Sequence, residues 1–227
     1  MNLKDFQAWL NAHGAKLTVD GRPGPATRAA IIETFRNTNA PACSDAEKIS
    51  IARAIGGSLK QLRAVGIVEG GGSGWDDAGL LKALYERHYY WRRVRVLIPF
   101  LSNPAAGGYT IDADRDGVND SWEKLADAAM LNPIAAFESV SFGRFQIMGA
   151  HAKSLGYANA IEFAWALSRD EAAHYRALAG YIRVNGLQPA FAKISANPAD
   201  CAAFAKGYNG SGYAKMGYHI KIAEQMR

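Results

Sequence analysis

Along most of this chain, apolar residues recur at helical rather than strand spacing. Phe6, Trp9 and Leu10 fall on one face of a short first helix. Asp20-Gly21 and Pro23-Gly24 are turn signals, and Pro25 suits the first turn of a second helix over residues 26–36. Ser44-Asp45-Ala46-Glu47 reads as a capping box that opens a helix toward Ile55. Leu59, Leu62, Val65 and Val68 form the buried stripe of another helix. Ser58 caps it with Gln61 three residues on, and Gly70-Gly71-Gly72 stops it just past Glu69. Leu81, Leu84, Tyr85, His88 and Trp91 predict a long aromatic helix over 80–96, followed by a loop marked by Pro99, Pro104 and Gly107-Gly108. Two further helices are expected over 122–131 and 134–138, with Pro133 between them. Phe142, Gly143, Phe145 and Ile147 make a short strand-like run. Beyond Gly149 the pattern is mostly helical, with a cap at residues 168–171 and a turn at Tyr208-Asn209-Gly210. The pattern predicts a mainly α protein with one small β-hairpin. Residues 1–40 read as a separate short helical unit and 44–227 as the main domain.

Composition narrows this picture. At 227 residues, with 49% hydrophobic and 21% charged, the chain suits one sizeable core plus a small module. No stretch approaches the roughly 20 apolar residues of a membrane span, so stable membrane insertion is not expected. The first residues lack an apolar segment of the secretory type, so synthesis in the cytoplasm without a signal peptide is expected. The net charge of +5 favours anionic partners. Apart from Arg92, Arg93 and Arg95 the basic residues are scattered, and no nucleic-acid motif accompanies them, so nucleic acid is not an expected partner. Cys43 and Cys201 have no metal-ligand spacing and are either separate buried thiols or a disulfide. The five histidines show no zinc spacing.

Glu69 is the leading chemical candidate. It falls in the last turn of its helix, where the exposed carbonyls disfavour a carboxylate and favour the neutral acid. A carboxyl kept protonated is what a general acid needs to protonate a glycosidic oxygen, and the glycines beyond it leave room for a polymer. Glu86 is the candidate second carboxylate, as a base or a water-positioning group, or else a buried partner of an arginine. Glu138 is a rival acid, or else, lying so close to Gln146 in sequence, it shapes the hairpin. Gln146 offers both donor and acceptor, as sugar recognition needs. Tyr208 and Asn209 combine an aromatic ring with an amide, suited to sugar faces and N-acetyl groups. Asp112, Asp114, Asp116, Asp120 and Glu123 occupy positions 1, 3, 5, 9 and 12 of a calcium-loop template, with Gly117 at position 6. Asn119 stands where paired loops carry an apolar residue, so a lone structural Ca2+ loop is expected, with a plain acidic turn as the alternative.

Two resemblances connect these residues. Val19-Asp20-Gly21 with Gly24-Pro25-Ala26-Thr27-Arg28-Ala29-Ala30-Ile31 resembles the peptidoglycan-binding repeat found beside cell-wall hydrolases, although it is shorter. From Leu59 onward the chain resembles the lysozyme-like superfamily, and most closely the N-acetylmuramidase-type endolysins of phages. That likeness rests on Val68-Glu69 with its glycines, Tyr85-Glu86-Arg87-His88, Glu138-Ser139, Ser141-Phe142-Gly143, Gln146-Ile147-Met148-Gly149 and Gly207-Tyr208-Asn209-Gly210. The resemblance implies a lysozyme-like helical domain with a small hairpin, preceded by a short wall-binding module. It implies Glu69 as the acid, and Gln146, Tyr208 and Asn209 as substrate-binding residues. The implied substrate is peptidoglycan, cut between N-acetylmuramic acid and N-acetylglucosamine by a monomer with no catalytic cofactor, working on the wall in the periplasm. Gly70 stands where many relatives have a small polar residue. The rival readings are a lytic transglycosylase using the same acid, a non-catalytic calcium-dependent wall-binding protein, and a toxin delivered into competing bacteria.

Overall fold

The computed structural model describes residues 1–227. Helices α1 (Leu3–Ala12), α2 (Pro25–Thr34), α3 (Asp45–Ala54) and α4 (Leu59–Gly70) lead to strand β1 (Ala83–Tyr85) and α5 (Arg87–Val94). Then come α6 (Asp120–Leu131), α7 (Pro133–Glu138), β2 (Val140–Phe142) and β3 (Ile147–Met148). The remainder is α8 (Ala160–Arg169), α9 (Glu171–Val184), α10 (Gln188–Ala192), α11 (Pro198–Asn209) and α12 (Tyr218–Gln225). The fold is mainly helical with one three-stranded antiparallel sheet in the order β1-β2-β3. No helix is long and apolar enough to cross a membrane.

The chain divides into two compact units: residues 1–39 with 75–168, and 40–74 with 169–227. The expected boundaries, a 1–40 module and a 44–227 domain, follow the chain order, whereas these compact units each join two separate stretches of it. In the first unit, the N-terminal helices supply part of the core. Phe6 meets Phe137 edge-on at 5.7 Å, and Phe35 lies 5.2 Å from both Trp122 and Phe137. Phe137 stacks on Phe142 of β2 at 5.9 Å. Trp122 is buried and donates its indole N–H to the Leu81 carbonyl at 2.6 Å, which settles its one polar atom inside the core. Arg28 of α2 pairs with Glu123 and Asp127 of α6, at 2.5 and 2.9 Å.

Local capping explains the helices that the sequence predicts well. Asn2, Ser44 and Ser58 each form a reciprocal capping box with the residue three positions on, satisfying orphan N–H groups at α1, α3 and α4. Asp170, not Ser168, caps α9, accepting from the Ala173 N–H at 2.6 Å. The expected long helix over 80–96 is instead a strand and a shorter helix. Ala83, Leu84 and Tyr85 pair with Phe142, Ser141 and Val140 of β2. Leu84 points outward while Tyr85 is buried, which is strand alternation and not a helical stripe. Cross-strand pairing with a distant segment overrode the local period here. Residues 208 and 209 close α11, and the turn itself begins at Gly210.

Candidate active site

In the second unit, α4 ends as its sequence dictates. Gly71 adopts φ +50°, the left-handed conformation that terminates a helix, and Glu69 is left in the final turn. Its carboxyl is half-buried. Removal from water pushes its pKa up, while a hydrogen bond from Asn209 and the charge of Lys221 pull in the opposite direction. Desolvation is the largest of these effects, so the neutral acid is favoured beyond what an exposed glutamate shows.

The Asn209 amide nitrogen donates to Glu69 Oε1 at 2.9 Å. Oε2 makes no hydrogen bond within the protein, so one oxygen is anchored and the other is available to a ligand. Tyr208 packs behind this pair. Its ring stacks on Phe204 at 5.7 Å and meets Tyr181 edge-on at 5.4 Å. Burial raises the phenol pKa, and the neighbouring Glu69 charge raises it further, so the hydroxyl stays protonated. The structure therefore brings Glu69, Tyr208 and Asn209 together. It places Tyr208 as a packing support for the acid and gives Asn209 a direct bond to it. Cys43 and Cys201 lie in the same unit as separate buried thiols, and burial pushes the Cys43 pKa to about 11.

The other predicted residues belong to the first unit. Glu86 precedes the first turn of α5. Its Oε2 accepts from the Tyr109 hydroxyl at 2.6 Å and lies 3.1 Å from His88 Nδ1. Donation to Glu86 raises the Tyr109 phenol pKa. No sequence signal marked Tyr109, since it reaches Glu86 from a loop. Glu138 accepts from Arg93 Nε at 2.9 Å, an ion pair that ties α7 to α5. Gln146 sits in the tight β2–β3 turn with φ +47°, and Gly143 in the same turn has φ +70°. Its side chain takes a hydrogen bond from Ser141 at 2.9 Å and gives one to the Gly143 carbonyl at 2.8 Å, so the amide braces its own hairpin. Gln146 also lines a cavity of about 310 Å3 with Leu81, Leu84, Ile111 and Trp122.

The acidic loop also folds in this unit. Asp112, Asp114 and Asp116 bring carboxylate oxygens within 4.8 Å of one another, as do Asp114, Asp120 and Glu123. Asp112 accepts from the backbone N–H of Asp116 and Gly117, and Asp120 accepts from Ala113 N–H and the Thr110 hydroxyl. Gly117 takes φ +84°, as the sixth position of a calcium loop requires. The all-oxygen donor set fits a hard cation such as Ca2+, although Arg28 already holds Glu123.

The mainly helical fold with its small antiparallel sheet is a lysozyme-like one. The N-acetylmuramidase family model matches residues 58–227, and the chain belongs to that family. Among solved structures it is similar to the Burkholderia AP3 phage endolysin, with 28% identity and a TM-score of 0.72, over 99% of this chain and 92% of that one. No curated protein matches. The chain is thus an enzyme whose reaction is the hydrolysis of bacterial peptidoglycan.

Proposed function

We propose that Glu69 is the general acid of this muramidase and that the bond cut joins N-acetylmuramic acid to N-acetylglucosamine. The observation that carries this is the half-buried Glu69 carboxyl, with Oε1 anchored by Asn209 and Oε2 open. Glu69 protonates the leaving glycosidic oxygen as the bond to the muramic anomeric carbon breaks. A water supplies hydroxide to that carbon and releases its second proton to solvent or a carboxylate, and Glu69 regains a proton. Asn209 positions the acid. Glu86 is a supporting carboxylate: Tyr109 occupies Oε2, and Oε1 makes no hydrogen bond and is open to a water. The Gln146 cavity, with apolar walls beside an amide, suits part of an N-acetylated sugar.

Three further roles belong to this reading. The N-terminal hairpin contacts the wall, supported by its turn pattern and by a cavity of about 310 Å3 lined by Gln7, Lys16, Asp20 and Arg22. The acidic loop takes a structural Ca2+ through Asp112, Asp114, Asp116, Asp120 and Glu123, with no part in the chemistry. A thermal melt in Ca2+ against chelator tests this, and an unchanged midpoint sinks it. The likeness to the AP3 phage endolysin supports a role in phage-driven lysis; the reading adds that the enzyme acts on the wall in the periplasm, as a monomer.

The deciding experiment digests purified peptidoglycan with wild type and Glu69→Gln and reads the fragment ends by mass spectrometry. Reducing muramic ends from wild type alone support the proposal. Anhydromuramic ends would mean internal attack by the muramic 6-hydroxyl with the same acid, a lytic transglycosylase. Equal cutting by both proteins removes Glu69 from the acid role.

A further inference from the structure

Beyond α5 the chain forms a small hairpin whose tip is apolar and faces water. Val96, Leu97 and Phe100 are 56%, 68% and 79% exposed, an unusual run of large side chains outside any core. The tip is well ordered by hydrogen bonds. Ile98 and Ser102 exchange backbone hydrogen bonds at 3.1 and 2.9 Å, and Leu101 N–H reaches the Ile98 carbonyl at 3.1 Å. The buried Ser102 donates its hydroxyl to the Val96 carbonyl, and Tyr85 donates to the Leu101 carbonyl at 2.8 Å. The turn has Pro99 at its second position and a left-handed residue at its third. That third position normally takes glycine. Here it carries Phe100 at φ +65°, a bulky ring held in a disfavoured conformation and directed to solvent. Core packing does not account for this choice.

Charge identifies what the tip meets. Residues 87–111 contain Arg87, Arg92, Arg93 and Arg95 and no acidic residue. Arg87 is bound to the Ala105 and Ala106 carbonyls, and Arg93 to Glu138. Arg92 and Arg95 are exposed, lie over the rings of Tyr89 and Trp91 at 5.2 and 4.7 Å, and have no carboxylate partner. Two unpaired guanidinium groups therefore flank a pre-formed apolar wedge. Two of the three apolar side chains at the tip, Val96 and Leu97, are aliphatic and offer no flat face to a sugar ring.

We infer that the Val96–Phe100 hairpin is a lipid-docking wedge that inserts into the headgroup layer of an anionic phospholipid bilayer, with Arg92 and Arg95 on the lipid phosphates. Apolar residues beside unpaired arginines are the combination that holds peripheral proteins at such interfaces without spanning them. The inference does not rest on the role of Glu69. It gives the enzyme a second affinity, for the membrane surface that lies beside its polymer substrate.

The test is co-sedimentation of the full chain with extruded vesicles of phosphatidylethanolamine and phosphatidylglycerol, against neutral phosphatidylcholine vesicles. Wild type is expected to sediment with the anionic vesicles only. Phe100→Gly relaxes the turn, so it folds at least as well as wild type, and is expected to weaken anionic-vesicle binding about tenfold. Arg92→Gln and Arg95→Gln are each expected to weaken it about fivefold, with a shallower salt dependence. All three variants are expected to digest purified peptidoglycan like wild type. Equal partition of wild type to both vesicle types, no partition, or unchanged binding by Phe100→Gly overturns the inference. A wild-type dimer in analytical ultracentrifugation that Phe100→Gly disperses assigns the patch to a second copy of the chain, and also overturns it.

Discussion

Glu69 and Glu86 both sit at helix boundaries, and their surroundings are opposite. Glu69 lies in the last turn of α4, where the helix dipole disfavours negative charge, and its carboxyl is half-buried with one amide donor. Glu86 precedes the first turn of α5, where the dipole favours negative charge, and it holds the Tyr109 hydroxyl with His88 beside it. The first arrangement favours the protonated acid. The second suits a group that organises its neighbours. Residue type alone does not distinguish them; the end of the helix and the partners do.

That contrast is open to direct attack. Glu69→Gln should lower muropeptide release from purified peptidoglycan about a thousandfold with the fold intact by circular dichroism, the scale of a lost general acid. The framework around β2 should be nearly as sensitive, but in stability. A Cβ at Gly149 would stand 2.1 Å from the Phe137 carbonyl oxygen, so Gly149→Ala should cost about 3 kcal/mol in urea unfolding. At Gly71, beyond Glu69, nothing stands within 4 Å of an added Cβ, and Ala should cost only about 1 kcal/mol, from the left-handed backbone. Glu86→Gln should lower turnover about tenfold, since an amide keeps most contacts but presents no carboxylate to Tyr109 or a water. A drop matching that of Glu69→Gln would make the two glutamates equal partners and dissolve the comparison.

The smallest effects are in pH dependence. On the proposed role Glu69 acts in its protonated form, so activity should fall as pH rises through its folded-state pKa, which lies above the ordinary 4.5. The Asn209 hydrogen bond holds that pKa down, so Asn209→Ala should move the alkaline limb of kcat/KM to higher pH. The same shift has a stability counterpart. A carboxyl whose folded pKa is raised binds its proton more tightly in the native state, so stability falls as pH rises from the unfolded value through the folded one. Glu69→Gln removes that penalty. It should melt higher than wild type at neutral pH, and the two should converge below pH 4.5.

Much of the Glu69 end was legible because its determinants are local. Ser58, Gln61, the apolar stripe and the glycine stop all lie within one short segment, and each acts on its neighbours. The partner Asn209 is 140 residues away, and its bond to Glu69 is written in no local pattern. Tyr109 escaped for the same reason. The segment over 80–96 shows the opposite failure. A genuine helical period was present there, and pairing of residues 83–85 with the β2 strand overrode it. The turn chemistry of residues 18–28 is local and legible, whereas the packing of Phe6 and Phe35, on either side of that turn, against Phe137 and Trp122 depends on aromatic contacts that no short motif encodes.

The placement of Phe6, Leu10, Ile31 and Phe35 in the core of the first unit has a consequence for how this enzyme can be rebuilt. A wall-binding segment tethered by a linker can be exchanged between proteins as a cartridge. Here the first 39 residues provide one wall of the hydrophobic interior that supports β1, β2 and α6. Cutting the chain near Ala40, or grafting a foreign targeting module there, would expose Phe137 and Trp122 to solvent. Retargeting of this enzyme by chimera is therefore expected to succeed when the new module is appended ahead of an intact α1–α2 pair, and to yield aggregates when it replaces that pair.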